Sequence, residues 1–465
     1  MKKKLKQRHL SMMAIGGTIG TGLFLGMGSS LNAGGPVGLL IGYILMGTVV
    51  YGVQCTLGEM VTMYPVSGPL AHFATRFVDP ALGFAVGWNY WYSFSICIGA
   101  ETKAATIIVQ YWKMPVHAGV WITLFLTTSC SINFFGVRFY GEVGGLTGIK
   151  ILSVVVLLII GIVLDVGGGP SHERIGLKYW KDPGPFRQFN DIVGPTGKFL
   201  ALWSVFTQAA YSFIGTETVA LAAAEASNPR KSVPKALSSV FYRILFFYVL
   251  SALVIGLLVP YNDPRLLNGT GDASSSPFVI AINRAGIKIL PDIINTFILI
   301  SAYSAASSQL YSGTRVLHGL AMENMAPKIL KRCTKSGVPL PATLFTLVPG
   351  LLAYMNLSHK AGACFNWLVN LSAMSGLLTW WAICFSHIRF QKAMKAQDVS
   401  RESLPFVGPL QPYMTYYTFI ALTLIIITNG FHTFWPNNWS WSSFIAAYIT
   451  LPIFIGSYAF WLVIL

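Results

Sequence analysis

The chain of 465 residues is 54% hydrophobic and only 10% Asp, Glu, Lys and Arg, against about 25% charged residues in a soluble globular chain. That excludes an ordinary soluble enzyme, and the arrangement in charge-poor blocks of about 20 residues, the length of a bilayer-crossing helix, makes it a polytopic membrane protein. The 32 Lys plus Arg against 16 Asp plus Glu give +16 at pH 7, but these residues lie between the apolar blocks rather than on one face, so no nucleic-acid partner is expected.

The basic segment Met1 to His9 leads straight into a full-length apolar span without a small-residue cleavage site, and reads as the entry to a first membrane helix rather than a removed signal. Charge-poor windows then run approximately from Ser11 to Asn32, Leu39 to Gly58, Ala81 to Ala100, Val116 to Val137, Val143 to Leu164 and Phe199 to Thr216. They continue with Ile244 to Pro260, Ile293 to Leu310, Leu340 to Leu357 and Ala361 to Ser386. After Glu402 no charged residue remains, and the turn-like Trp435-Pro436-Asn437-Asn438 splits that stretch into two more spans. The expectation is twelve transmembrane helices. With an even count, 21 of the 32 basic residues fall in one set of loops and ten in the alternate set, which places both termini in the cytoplasm.

Two spans should be discontinuous. Gly16-Gly17-Thr18-Ile19-Gly20-Thr21-Gly22 sets four glycines in helix 1, each costing about 1 kcal/mol relative to Ala in a helix. Tyr211-Ser212-Phe213-Ile214-Gly215-Thr216-Glu217 interrupts helix 6 and repeats the tripeptide Ile-Gly-Thr. Glycine also permits close helix packing, but a matched second interruption ending in an intramembrane acid points to a transporter site between inverted halves. The halves would span approximately 10–165 and 198–390, with added helices at 411–465, in one domain over 1–465.

An unwound segment frees backbone groups that must find polar partners. Freed N–H groups of Gly20, Thr21 and Gly22 suit an amino acid's carboxylate, and freed carbonyls of Thr18, Tyr211 and Ile214 suit its ammonium. Intramembrane ionisable residues are costly and hence functional candidates. Glu217, beside the break, can carry a proton or cap freed N–H groups. Glu101 is the second proton candidate, unless it is solvated near the outer surface; it could also face a cationic side chain. Lys150, about eight residues inside helix 5, either coordinates carbonyls in place of a metal cation or snorkels. Glu59 reads as a structural acid at a helix end. Ser301, Ser304, Ser307 and Thr379 either shape a pocket or pack helices.

The six cysteines and eight histidines show no CxxC, HExxH or other metal spacing. No GxSxG elbow or P-loop is present, so neither a metal, a cofactor nor enzyme chemistry is expected.

The segment Arg8-His9-Leu10-Ser11-Met12-Met13-Ala14-Ile15-Gly16-Gly17-Thr18-Ile19-Gly20-Thr21-Gly22-Leu23-Phe24 resembles the opening of amino acid permeases of the amino acid, polyamine and organocation superfamily. The resemblance continues through Gly87 to Tyr92 (GWNYWY), Ser212 to Glu217 (SFIGTE), Ala224 to Ala236 (AEASNPRKSVPKA) and Ser386 to Phe390 (SHIRF), and is greatest to the fungal branch. It implies a five-plus-five inverted repeat with two added helices and proton-coupled amino acid uptake at the plasma membrane by alternating access. The implied substrate site comprises Thr18, Ile19, Gly20, Thr21, Gly22, Tyr211, Phe213, Ile214, Gly215 and Thr216. In it the backbone at Thr21 and Gly22 takes the carboxylate and Tyr211 stands as the aromatic lid. Glu217 matches the proton-linked acid, with Glu101 as the alternative, and Lys150 matches a lysine replacing a sodium ion. Tyr211 departs from the usual Phe, and Lys103 stands where a small or apolar residue is common. The competing function is an amino acid sensor or facilitator on the same scaffold; a sensor is expected to use an extended cytoplasmic tail, which the short ends read here do not favour.

Overall fold

The computed structural model describes residues 19–66, 68–134, 145–170, 172–190, 192–218, 236, 240–267, 276–335, 337–355, 361–435 and 438–464. Thr18 lies outside the described residues, as do Gly16, Gly17 and most of the stretch from Ala224 to Ala236. Among the described residues there is no strand.

A π-helical turn, Gly22–Gly26, runs without interruption into α1 (Met27–Met63). Together they span 42 residues, about 63 Å at 1.5 Å per residue, twice the hydrocarbon thickness of a bilayer. The stretch divides at Gly35, where φ 74° and ψ 175° leave helical space and Pro36 offers no N–H. Only glycine fits, because φ is left-handed and Arg187 N stands 2.7 Å from the position of a Cβ. The 185–187 loop is tied over this kink, Val37 N–H donating to Pro185 O at 3.0 Å and Arg187 N–H to Gly34 O at 3.4 Å.

The short α2 (Pro69–Phe77) leads to α3 (Pro80–Gln110), which starts on an Asp79 cap: Leu82 N–H donates to its Oδ1 at 2.8 Å, with Pro80 in the first helical position. There follow α4 (Ala118–Phe134), α5 (Gly145–Asp165), α6 (Pro195–Phe213), a π-turn Ile244–Val249 joined to α7 (Leu250–Leu258), and α8 (Pro277–Arg284). The remainder is α9 (Leu290–Met322), α10 (Leu340–Leu347) with a 3-10 extension Val348–Tyr354, α11 (Ala361–Ala396), α12 (Tyr413–Thr428), α13 (Trp441–Tyr448) and α14 (Thr450–Ile464).

Six helical stretches among the described residues are long and apolar enough to cross a membrane, seven if the bent pair α13–α14 counts as one. The shorter apolar helices 118–134 and 340–354 add to these. The chain is thus an all-helical, multi-pass membrane protein. α3 continues ten residues past the apolar window that ended at Ala100, because Glu101 and Lys103 are buried within it rather than marking its end. α9 and α11 likewise run beyond their apolar windows, since backbone hydrogen bonding continues into charged turns. α3 is buried almost throughout and packs on α9 and α11, while α1 packs on α6. The outer surface is apolar, Leu152, Ile159, Ile427 and Val463 standing outward, as expected where lipid is the solvent.

Candidate functional site between the first helix and the end of α6

α6 stops at Phe213. Ile214 adopts φ −57° and ψ 137°, Gly215 has φ +96°, and the chain turns through Thr216 and Glu217. Ile214 N–H donates to Tyr211 O at 3.2 Å and Thr216 N–H to Phe213 O at 3.3 Å, so the Tyr211 carbonyl already accepts one bond. Against this break lies the start of the first helix. The Ser212 hydroxyl donates to Gly22 O at 2.9 Å and stands 2.9 Å from the Tyr43 hydroxyl. A Cβ at Gly22 would come within 2.7 Å of Ser212 Cα, and one at Gly20 within 2.7 Å of Glu101 Oε1. Glycine at both positions lets the start of the first helix, the end of α6 and α3 meet.

Three other helices reach into the same place. From α3, the Glu101 carboxylate accepts from Thr21 N–H, 3.3 Å to each oxygen, and from the Tyr211 hydroxyl at 3.3 Å. Glu101 is 5% exposed, which removes the reading that it is solvated near a surface. From α5, the buried Lys150 ammonium donates to Ile19 O at 3.0 Å. From α11, Phe365 meets the Tyr211 ring edge-on at 6.5 Å.

Glu217 forms a second, adjoining group. Its Oε1 accepts from the Tyr90 hydroxyl at 3.2 Å and from Gly215 N–H at 3.3 Å, and its Oε2 from Trp380 Nε1 at 3.2 Å and the Thr216 hydroxyl at 3.4 Å. Gln54 Nε2 of α1 donates to Thr216 Oγ1 at 3.1 Å. The break in α6 is thereby joined to α1, α3 and α11.

Ile19, Gly20, Thr21, Gly22, Tyr211, Glu101 and Lys150 thus come together, with Ile214, Gly215, Thr216 and Glu217 next to them. Phe213 does not join them by its ring, which packs between Tyr43 and Tyr248 at 6.0 and 4.3 Å. Ser307 and Thr379 tie helices: Asn133 Nδ2 donates to Ser307 Oγ at 3.2 Å and Asn89 Nδ2 to Thr379 Oγ1 at 3.0 Å. Tyr90, Trp380, Gln54 and Ser212 were not legible as site residues. The partners Tyr90 and Trp380 are 127 and 163 residues from Glu217, and an aromatic in a membrane span carries no local sign of such pairing.

Glu59 lies elsewhere, near the end of α1. His387 Nε2 stands 2.8 Å from its Oε2, while Arg401 Nη2 at 2.5 Å and Gly408 N–H at 2.9 Å donate to its Oε1. It binds α1 to α11 and to the loop before α12. Among the described residues no group of three or more His, Cys, Asp and Glu is arranged as metal ligands.

Comparison with known proteins gives the family of the chain. The family model described as amino acid permease matches residues 9–465. A proline-specific permease of Emericella nidulans is 42% identical over 98% of this chain and 84% of its own length. The basic amino-acid permease of Saccharomyces cerevisiae is 42% identical over 99% of this chain and 80% of its own. A general amino-acid permease, GAP2, of Candida albicans is 43% identical over 98% and 77%. Among solved structures, a manganese transporter of Eremococcus coleocola superposes with a TM-score of 0.61 at 14% identity, over 98% of this chain and 94% of that one, a likeness of fold alone. On the match across nearly its whole length, the chain belongs to the amino acid permease family.

Proposed function

We propose that the chain imports amino acids together with protons across the plasma membrane, by alternating access to a site between the breaks of helices 1 and 6. In this reading both termini are cytoplasmic, and the two halves, 10–165 and 198–390, move against each other. Relatives named for proline, for basic amino acids and as a general permease support an amino acid substrate and differ over its side chain. That difference leaves the common part, the α-carboxylate and ammonium, to the backbone of the two breaks.

The observation that carries the reading is the contact of Glu101 with Thr21 N–H. An N–H freed by unwinding at the positive end of a half-helix is a carboxylate site, and here a carboxylate from α3 occupies it. A substrate carboxylate arriving at Thr21 displaces that of Glu101. A buried carboxylate stripped of its donors is expensive, so the displaced Glu101 is stabilised by taking a proton. Substrate and proton then favour each other's binding, which is the differential affinity that coupling requires. Glu217, held by four donors, fixes the end of α6. Lys150 holds Ile19 O where a cation would otherwise be needed.

The test is uptake of radiolabelled neutral, acidic and basic amino acids into vesicles, with and without an inward proton gradient, for the wild type and Glu101→Gln. Gradient-driven accumulation in the wild type, lost in the variant while exchange persists, supports symport. Binding without net uptake under any gradient favours a sensor or facilitator and withdraws the proton roles.

A further inference from the structure

A cavity of about 510 Å3, whose lining includes neither Glu101 nor Glu217, lies between the segment of α1 before Gly35, the second half of α6, the first turns of α11, the end of α12 and the loop at Arg187. That volume is within the range of small-molecule sites, about 300–1,000 Å3. Asn32, Arg187, Gln208, Asn366, Asn370 and Asn429 all contribute polar side chains to its wall, and among the described residues no Asp or Glu lines it.

Arg187 is built in place. Its backbone is tied over the Gly35 kink, and its Nη1 donates to both Asn32 O, at 2.7 Å, and Asn32 Oδ1. The remaining N–H donors, on Nε and Nη2, have no partner among the described residues. Gln208 Oε1 is buried and likewise unpartnered, which is costly unless a donor is supplied. A fixed guanidinium suits a carboxylate, and amide oxygens suit an ammonium. No carboxylate is present among the described lining residues to neutralise the arginine.

We propose that this cavity is a second amino acid site, in which Arg187 takes the carboxylate and the side-chain amide oxygens, that of Gln208 included, take the ammonium. The inference rests on the reading above that the transported substrate is an amino acid. Gln208 stands one turn before Ser212, whose hydroxyl lies between Gln208 O at 3.0 Å and Gly22 O at 2.9 Å. An occupant therefore bears on the helix 1 to helix 6 contact and changes release from the central site.

The experiment is equilibrium dialysis of the purified full chain with radiolabelled L-proline, L-lysine or L-glutamate, for the wild type, Arg187→Gln and Asn370→Leu. The second variant keeps the anchored arginine and removes one amide, so a fold lost through Arg187 alone does not decide the matter. The expected result is two equivalents bound in the wild type and one in each variant. Release of the central label should also change threefold or more on adding excess unlabelled amino acid, in the wild type only. One equivalent in all three proteins overturns the second site and leaves the proposed function standing. Displacement of the second equivalent by acetate as readily as by amino acid overturns the zwitterion as its ligand. No binding of any of the three amino acids overturns both readings.

Discussion

Glu59 and Glu217 are both fully enclosed glutamates in an apolar interior, and they are held in opposite ways. Glu59 faces the Arg401 guanidinium and the His387 ring, so losing its charge would strand a cation. Glu217 faces only neutral donors, a phenol, an indole, a hydroxyl and a backbone N–H, while Glu101 accepts from Thr21 N–H and the Tyr211 phenol and also feels the charge of the buried Lys150 ammonium. A carboxylate held by dipoles alone, as Glu217 is, can exchange its charge for a proton and leave no ion unpaired. The same residue type thus serves as a rivet at one place and, in the proposed reading, as a movable group at the other.

The comparison can be broken most forcefully at the rivet. Glu59→Ala removes the counter-charge of Arg401 and the partner of His387 Nε2, a loss of about 3–5 kcal/mol for a buried pair, toward the lower figure because Arg401 is 31% exposed. Thermal unfolding in detergent should show it, while uptake per folded molecule stays near that of the wild type. A variant as stable as the wild type would mean that the pair does not hold α1 to α11.

At the neutral-donor site the expected effects are smaller in stability and larger in transport. Glu217→Gln brings an amide N–H2 against donors, leaving at least one of Tyr90, Trp380 or Gly215 unsatisfied at about 1–3 kcal/mol. Uptake per folded molecule should fall tenfold or more, read by initial rates normalised to protein amount. Tyr211→Phe sharpens the comparison in another direction. It removes one bond to Glu101, about 1 kcal/mol, and so weakens the competitor for Thr21. KM should fall by up to about fivefold; a rise of that size would mean that the hydroxyl serves the substrate instead.

The smallest effect concerns an exposed rim. Burial acts to raise the Asp263 carboxyl, but hydrogen bonds from the Arg265 side chain and backbone and from Arg284 outweigh it and hold it below the ordinary 3.8. A lowered value contributes stability above pH 3.8 and loses it as pH falls through the folded value. Both arginines are over a third exposed, so about 1 kcal/mol at most is involved. The difference in melting temperature between wild type and Asp263→Asn should be constant from pH 5 to 8 and vanish in more acid solution.

The all-helical, multi-pass fold, the stop of α6 at Phe213 and the buried acids Glu101 and Glu217 were legible in the sequence, because apolar length, a glycine after a helical run and a charge in a membrane span are local signals, while Gly16, Gly17 and Thr18 of the expected helix 1 interruption lie outside the described residues. Helix ends were less so, as at α3, where Glu101 and Lys103 belong to a buried interior. Phe213 and Tyr211, two residues apart, face different neighbours, and that follows from where the helix stops, which spacing alone does not give. Tyr90 and Trp380, which donate to Glu217, and His387 against Glu59 come from helices more than a hundred residues distant, and only the assembled bundle reveals them.

The central claim is that a substrate carboxylate replaces that of Glu101 at Thr21 and sends a proton to the displaced acid. Calorimetric titration with amino acid in two buffers of different ionisation enthalpy counts that proton. The account predicts uptake of about one proton per substrate bound by the wild type and none by Glu101→Gln. Equal proton uptake by both proteins would contradict it.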